Sequence, residues 1–388
     1  MSSPYLSKRI VELKPSGIRK FFDIAATMKN VVSLSIGEPD FTTPAPILAA
    51  GIRSLQNGET HYTSNAGRPE LREVLSNHLN QMYGVFYDPG TEMFFSAGGS
   101  EALHLAMQAL LDPGDEVILL GPYFVSYIGV VELAGGVVVE VPCRFEDDFD
   151  IDVKAVEKAI TDRTKAILIN FPCNPTGAVA SREAMEDLAR VAEKHDLIVI
   201  SDEIYDQLLY GVEHTCFPTL PNMRERTILI GGFSKDYAMC GWRIGYACGP
   251  EDLVQAMLRA HQYILMCIST TAQDAAIAAL QEGRPFVDKM VEDYDRRRKL
   301  MVAGLNEIGL PTVEPKGAFY VFPKVDVTGL DDEAFAEQLL LEERVALVPG
   351  SAFGEAGRGY VRCSYATAYD QLEAALEGID RFVRKIKG

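Results

Sequence analysis

The chain has 388 residues, of which 47% are apolar and 24% charged, and a formal net charge of −18. That length exceeds the size at which one hydrophobic core stops growing, so two domains are expected. The acidic balance argues against nucleic acid or an anionic membrane surface as a partner. No apolar run reaches the ~18 residues of a membrane span. Residues Met1 to Ile10 lack the apolar stretch of a signal peptide. The seven cysteines are scattered without a CxxC pair, a pattern of reduced thiols that points to the cytoplasm.

From about residue 90 to 250, short apolar runs alternate with helical patterns. Strands are expected at Glu92–Ser96, Val117–Leu120, Val137–Val141, Ala166–Asn170, Ile198–Ser201, Ile228–Ile230 and Ile244–Ala247. Several lack polar alternation, as strands covered on both faces do. Helices fall between them, including Glu101–Leu111 and Arg182–His195, the latter behind Ser181 as N-cap. Glu251 to about Gln281 reads as one long helix. Further on, Phe319–Phe322, Ala346–Val348 and Tyr360–Cys363 read as strands, with helices near Asp332–Glu343 and Asp370–Lys387. The expected fold is α/β: a mostly parallel seven-stranded sheet in a large domain, residues 46–284, plus a smaller α+β domain from residues 1–45 and 285–388.

The polar residues that matter follow the strands. Lys235, in Ser234-Lys235, comes just past Ile228–Ile230, where open α/β sheets bind ligands. A lysine amine there can form a Schiff base with pyridoxal 5′-phosphate. Asp202, closing Ile198–Ser201, offers the carboxylate that would keep a pyridine nitrogen protonated, and Tyr205 offers a phenol beside the ring oxygen. Asn174-Pro175-Thr176-Gly177 reads as a turn whose Asn174 amide can also donate to that oxygen. Gly98-Gly99-Ser100 opens a helix, where backbone N–H groups and the Ser100 hydroxyl can approach an anion. Arg243 can supply a planar fork to a phosphate. Each piece alone also reads as a cap, a turn or a surface charge.

Together these pieces resemble the fold type I aminotransferases of class I and II, over nearly the whole chain. The resemblance is carried by Ile36-Gly37-Glu38-Pro39-Asp40-Phe41, Asn174-Pro175-Thr176-Gly177, Asp202-Glu203-Ile204-Tyr205, Ser234-Lys235 with Gly241-Trp242-Arg243-Ile244-Gly245, and Gly317-Ala318-Phe319-Tyr320. It implies a transfer of an amino group from an L-amino acid to a 2-oxo acid, with 2-oxoglutarate expected. It also implies that Lys235 holds pyridoxal phosphate covalently and later moves a proton. Asp202 would bind the ring nitrogen, Tyr205 and Asn174 the ring oxygen, and Phe124 the ring face. Gly99, Ser100, Ser234 and Arg243 would hold the phosphate, helped by Tyr62 from the other subunit of a homodimer. Arg362 would clamp the substrate carboxylate with Gly37 and Asn174, while Ile18 and Arg19 of the N-terminal segment would shape the donor pocket. No metal is implied.

Two departures stand out. Gly232 replaces a hydroxyl residue found in many relatives. Ser100 replaces a lysine that helps some aspartate-specific relatives with a second carboxylate, so a broad or neutral-to-aromatic donor preference is expected. His261 is read as structural. Three rivals are weighed. A C–S β-lyase would use the same machinery. A cofactor-binding regulatory module would need a DNA-binding segment for which the chain has no room. A serine hydrolase would join Ser100, Asp202 and His261 but leave Lys235, Arg243 and Arg362 without a role.

Overall fold

The structure is a computed structural model that describes residues 5–13 and 28–387. The expected donor-pocket positions Ile18 and Arg19 lie outside the described residues. A short helix, α1 (Lys8–Glu12), and a two-residue strand, β1 (Val32–Ser33), come first. Helices α2 (Ala45–Gln56) and α3 (Pro69–Tyr83) follow. Both carry proline in the first turn, where its missing N–H would have no partner in any case.

The main sheet comprises β2 (Met93–Ser96), β3 (Glu116–Gly121), β4 (Val137–Pro142), β5 (Thr164–Asn170), β6 (Ile198–Asp202), β7 (Thr227–Gly232) and β8 (Gly245–Cys248). Their spatial order is β2-β8-β7-β6-β5-β3-β4. Strand β8 runs antiparallel to both neighbours, and the remaining pairings are parallel. Helices α4 (Gly99–Leu110), α5 (Ser126–Ala134), α6 (Val153–Ala159) and α7 (Arg182–Lys194) cover the two faces. Alternate strand residues enter different cores. Ile118, Ile167 and Val199 pack on one side, and Val117, Ala166 and Ile200 on the other. This double burial is why the runs show no polar alternation. Ser181 caps α7 as expected, accepting from the Ala184 N–H at 3.2 Å.

The single long helix expected after β8 is two helices, α8 (Glu251–Ile264) and α9 (Thr270–Glu282). Met266, with φ at 69°, turns left-handed and ends the first. The Asn65 amide holds the break by donating to the Met266 carbonyl at 2.5 Å. Next comes α10 (Arg284–Ile308), which the sequence reading did not assign. Two buried arginines, Arg297 and Arg298, interrupt its apolar face and are matched by Asp40, Asp293 and Asp295.

The remaining elements form a smaller α+β part: β9 (Tyr320–Val321), α11 (Asp332–Glu343), β10 (Val345–Ala346), β11 (Val348–Pro349), β12 (Val361–Ser364) and α12 (Tyr369–Lys387). Strands β11, β12 and β9 pair antiparallel, while β10 pairs with β1. The expected strand Ala346–Val348 is thus divided at Leu347 between two sheets. Its core gathers Tyr294, Phe319, Phe335, Ile379 and Phe382. No helix among the described residues is long and apolar enough to cross a membrane.

Candidate active site

The C-terminal ends of the central strands carry the polar residues. Asn170 ends β5 opposite Asp202, which ends β6. The Asn170 amide donates to the Asp202 carbonyl at 2.8 Å, and its oxygen accepts from the Asn174 N–H at 3.0 Å. The turn that begins at Asn174 is thereby tied to β6. Lys235 follows β7 by three residues. Its amine donates to the Gly37 carbonyl at 2.6 Å and lies 3.9 Å from the Cys240 sulfur.

Asp202 is buried, and no cation pairs with it among the described residues. The Tyr127 hydroxyl donates to one carboxylate oxygen at 2.7 Å, and the Ile204 N–H approaches the other at 3.3 Å. Burial pushes this carboxyl up to about 6, against the pull of those two donors. The Tyr205 hydroxyl meets that of Tyr320 at 2.8 Å, and burial drives the Tyr205 phenol well above its ordinary value.

Three cations stand around the same space, and all bond to uncharged acceptors. Arg362 donates to the Asn174 side-chain oxygen at 2.9 Å and to the Ser35 carbonyl at 2.7 Å, while its Nε is buried without a partner. Its guanidinium lies over the Tyr320 ring at 4.6 Å. Arg243 reaches the carbonyls of Cys240 and Ala97 at 3.0 and 3.3 Å. Because Arg362 occupies the Asn174 oxygen, the Asn174 amide nitrogen is the end left to donate elsewhere.

Gly37, Gly99, Ser100, Phe124, Asn174, Asp202, Tyr205, Ser234, Lys235, Arg243 and Arg362 all line one cavity of about 440 Å³. Tyr62 does not. It is 82% exposed and lies beside a separate hollow near Leu55 and Cys267. Gly98 has φ at 81°, and a Cβ there would come within 2.5 Å of the Arg243 guanidinium, so close approach requires glycine. At Gly232 the space for a side chain is filled by the terminal methyl of Ile204. The hydrolase triad is not formed: His261 is buried against Glu101, and Asp202 is bonded to Tyr127.

Sequence reasoning missed Tyr127, Asn170, Cys240 and Tyr320. Tyr127 stands three residues after Phe124, and Tyr320 ends a motif already singled out, so both had a local signal. Asn170 closes a recognised strand.

Comparison with known proteins agrees with this geometry. The family model described as aminotransferase class I and II matches residues 29–379. The chain belongs to the aminotransferase class I and II family. This aminotransferase is 47% identical to the aspartate aminotransferase of Pyrococcus abyssi, over 98% of this chain and 99% of that one. It is 44% identical to the aromatic-amino-acid aminotransferase 2 of Thermococcus litoralis, with the same coverage. The solved aspartate aminotransferase of Thermus thermophilus with maleate superposes with a TM-score of 0.94, at 44% identity, covering 98% of this chain and all of the other. The family depends on pyridoxal phosphate, and the donor set suits that group. Among the described residues, a buried carboxylate without a cation and three cations without carboxylates, one of them the Lys235 amine, meet in one cavity.

Proposed function

We propose that this aminotransferase moves an amino group from an L-amino acid of broad or neutral-to-aromatic type to 2-oxoglutarate, through pyridoxal phosphate held at Lys235. The observation that carries the reading is the convergence of Lys235, Asp202 and Arg362 on one cavity. When bound, the cofactor supplies a carbon that takes amines covalently and a pyridinium ring that draws electrons from the substrate Cα. Asp202 holds a proton on the ring nitrogen, and a cation there offsets the burial of its charge. Tyr205 and the Asn174 amide bond the ring oxygen, and Phe124 covers the ring. Gly99, Ser100, Ser234 and Arg243 hold the phosphate. Arg362 clamps the substrate carboxylate with its planar fork, oriented by Asn174 and packed on Tyr320. Gly37 completes the wall. The Lys235 amine would be the base that takes up the proton at the substrate Cα and carries it across the cavity.

The family's aspartate and aromatic members leave both donor classes open to this chain, and Ser100 favours the second. Ile18 and Arg19 complete the donor pocket in this reading, with Arg19 meeting a distal carboxylate. Residues 46–284 form the large domain, and 1–45 with 285–388 the small one, in a cytoplasmic homodimer. Exposed Tyr62 then serves the phosphate of the other subunit.

The test is a panel of amino donors with 2-oxoglutarate, followed by detection of glutamate and the new oxo acid. Lys235→Ala is expected to lose turnover by at least about a thousandfold. Pyruvate and ammonia released from cystathionine without an oxo acid would instead make the enzyme a β-lyase. For the dimer, mixing inactive Tyr62→Ala with inactive Lys235→Ala protein should restore part of the activity. No recovery despite proven subunit exchange would refute the shared site.

A further inference from the structure

We propose that His261 is a positioning residue for the phosphate cradle and acts through Glu101. The inference rests on the reading that the loop 97–100 holds the cofactor phosphate. That loop turns at Ala97. Arg243 donates to the Ala97 carbonyl at 3.3 Å, and the Glu101 carboxylate accepts the Ala97 N–H at 2.5 Å. Ala97 is therefore held at both of its backbone polar groups, and so at the two peptides that flank it, immediately before the glycine at φ 81° that opens α4.

Glu101 lies in the first turn of α4, where N–H groups point outward without helical partners. A loose carboxylate there would compete with a phosphate for those donors and repel it. In the structure it is folded back and held. Its second oxygen meets His261 Nδ1 at 2.9 Å. His261 comes from α8, is 0% exposed and packs against the Phe94 ring at 5.6 Å. A carboxylate only accepts, so Nδ1 carries the hydrogen in this bond. The other ring nitrogen, Nε2, is buried without a partner. A leucine would fill such a space without an unmatched nitrogen, so the polar contribution of the ring is the Nδ1 bond alone. Through it, the helix that leaves the main sheet fixes the Glu101 rotamer, and Glu101 fixes the Ala97 N–H.

The experiment compares the binding of pyridoxal phosphate with that of pyridoxal, which lacks the phosphate, to cofactor-stripped full-length protein. His261→Leu and Glu101→Gln should each raise the dissociation constant for pyridoxal phosphate about tenfold while changing that for pyridoxal by less than about twofold. His261→Asn, whose amide nitrogen can stand in for Nδ1, should stay within about threefold of wild type for both. Glu101→Gln serves alone if His261→Leu does not fold. Equal losses for the two compounds would mean a merely structural role and would overturn the inference, as would wild-type binding in both variants. Arg243→Met separates the two levels. If it weakens pyridoxal phosphate while the His261 and Glu101 variants do not, only the inference fails. If it too has no effect, the cradle reading itself falls.

Discussion

Asp202 and Glu203 stand side by side at the end of β6, both nearly fully buried, yet the protein surrounds them in opposite ways. Glu203 turns away from the cavity. It accepts from Ser201 at 2.8 Å, from the Phe217 N–H at 2.9 Å and from His214 at 2.6 Å. Burial pushes its carboxyl up, but the His214 charge and these bonds outweigh it and hold it below its ordinary value. Asp202 has no histidine, and burial wins. The difference teaches how to tell a structural carboxylate from a working one. Glu203 has its charge matched inside the protein, and on the proposed function Asp202 is left to be matched by what binds.

Exchanging each acid for its amide should break the pair apart. Asp202→Asn is expected to lower kcat by at least about a hundredfold, the effect of losing one buried charge-assisted bond. The same change should help the cofactor-free protein at neutral pH. Asp202 is raised from 3.8 to about 6 in the folded state, so its favourable contribution is present below 3.8 and lost as pH rises through 6. Removing the group should stabilise the cofactor-free fold by up to roughly 3 kcal/mol at pH 8, and by less toward pH 4. Denaturant titrations across that range would read it, and a flat difference would show that the carboxyl is not raised. Glu203→Gln should do the reverse. It leaves buried His214 without its partner and costs about 3–5 kcal/mol of stability, while the protein that remains folded keeps its kcat within a few fold. A larger loss of kcat than of stability would erase the distinction between the two acids.

A smaller change sharpens the contrast. Tyr127→Phe removes the shortest hydrogen bond to the Asp202 carboxylate, a donor that favours its charged form. The carboxyl should rise further, the acid limb of the rate profile should move to higher pH, and kcat should fall by about fivefold to tenfold. An unchanged acid limb would show that Tyr127 does not set the charge of Asp202.

Much of this site was legible in the sequence because Asn174, Asp202 and Lys235 each follow a strand within a recognisable motif. The strands themselves were legible because double burial makes their runs continuously apolar. Tyr127 and Tyr320 were not assigned roles, since their bonds to Asp202 and Tyr205 close only when separate elements pack. The link from His261 to Glu101 spans 160 residues and leaves no local trace. The break between α8 and α9 escaped because apolar periodicity runs past Met266, and the Asn65 bond that holds the turn comes from a distant loop. Strand Ala346–Val348 was seen, but a pattern cannot say that its two halves answer to different sheets.

Arg243 is held at φ 54°, in the left-handed region. That conformation disfavours a side chain by about 1–2 kcal/mol, and glycine would adopt it freely. Facing it, Gly98 leaves the room its guanidinium occupies. Selection for a hardier protein and selection for a working one therefore pull in opposite directions at this position. A search for heat-resistant variants would be drawn to glycine at 243, and on the proposed role of Arg243 each such gain would loosen the grip on the phosphate.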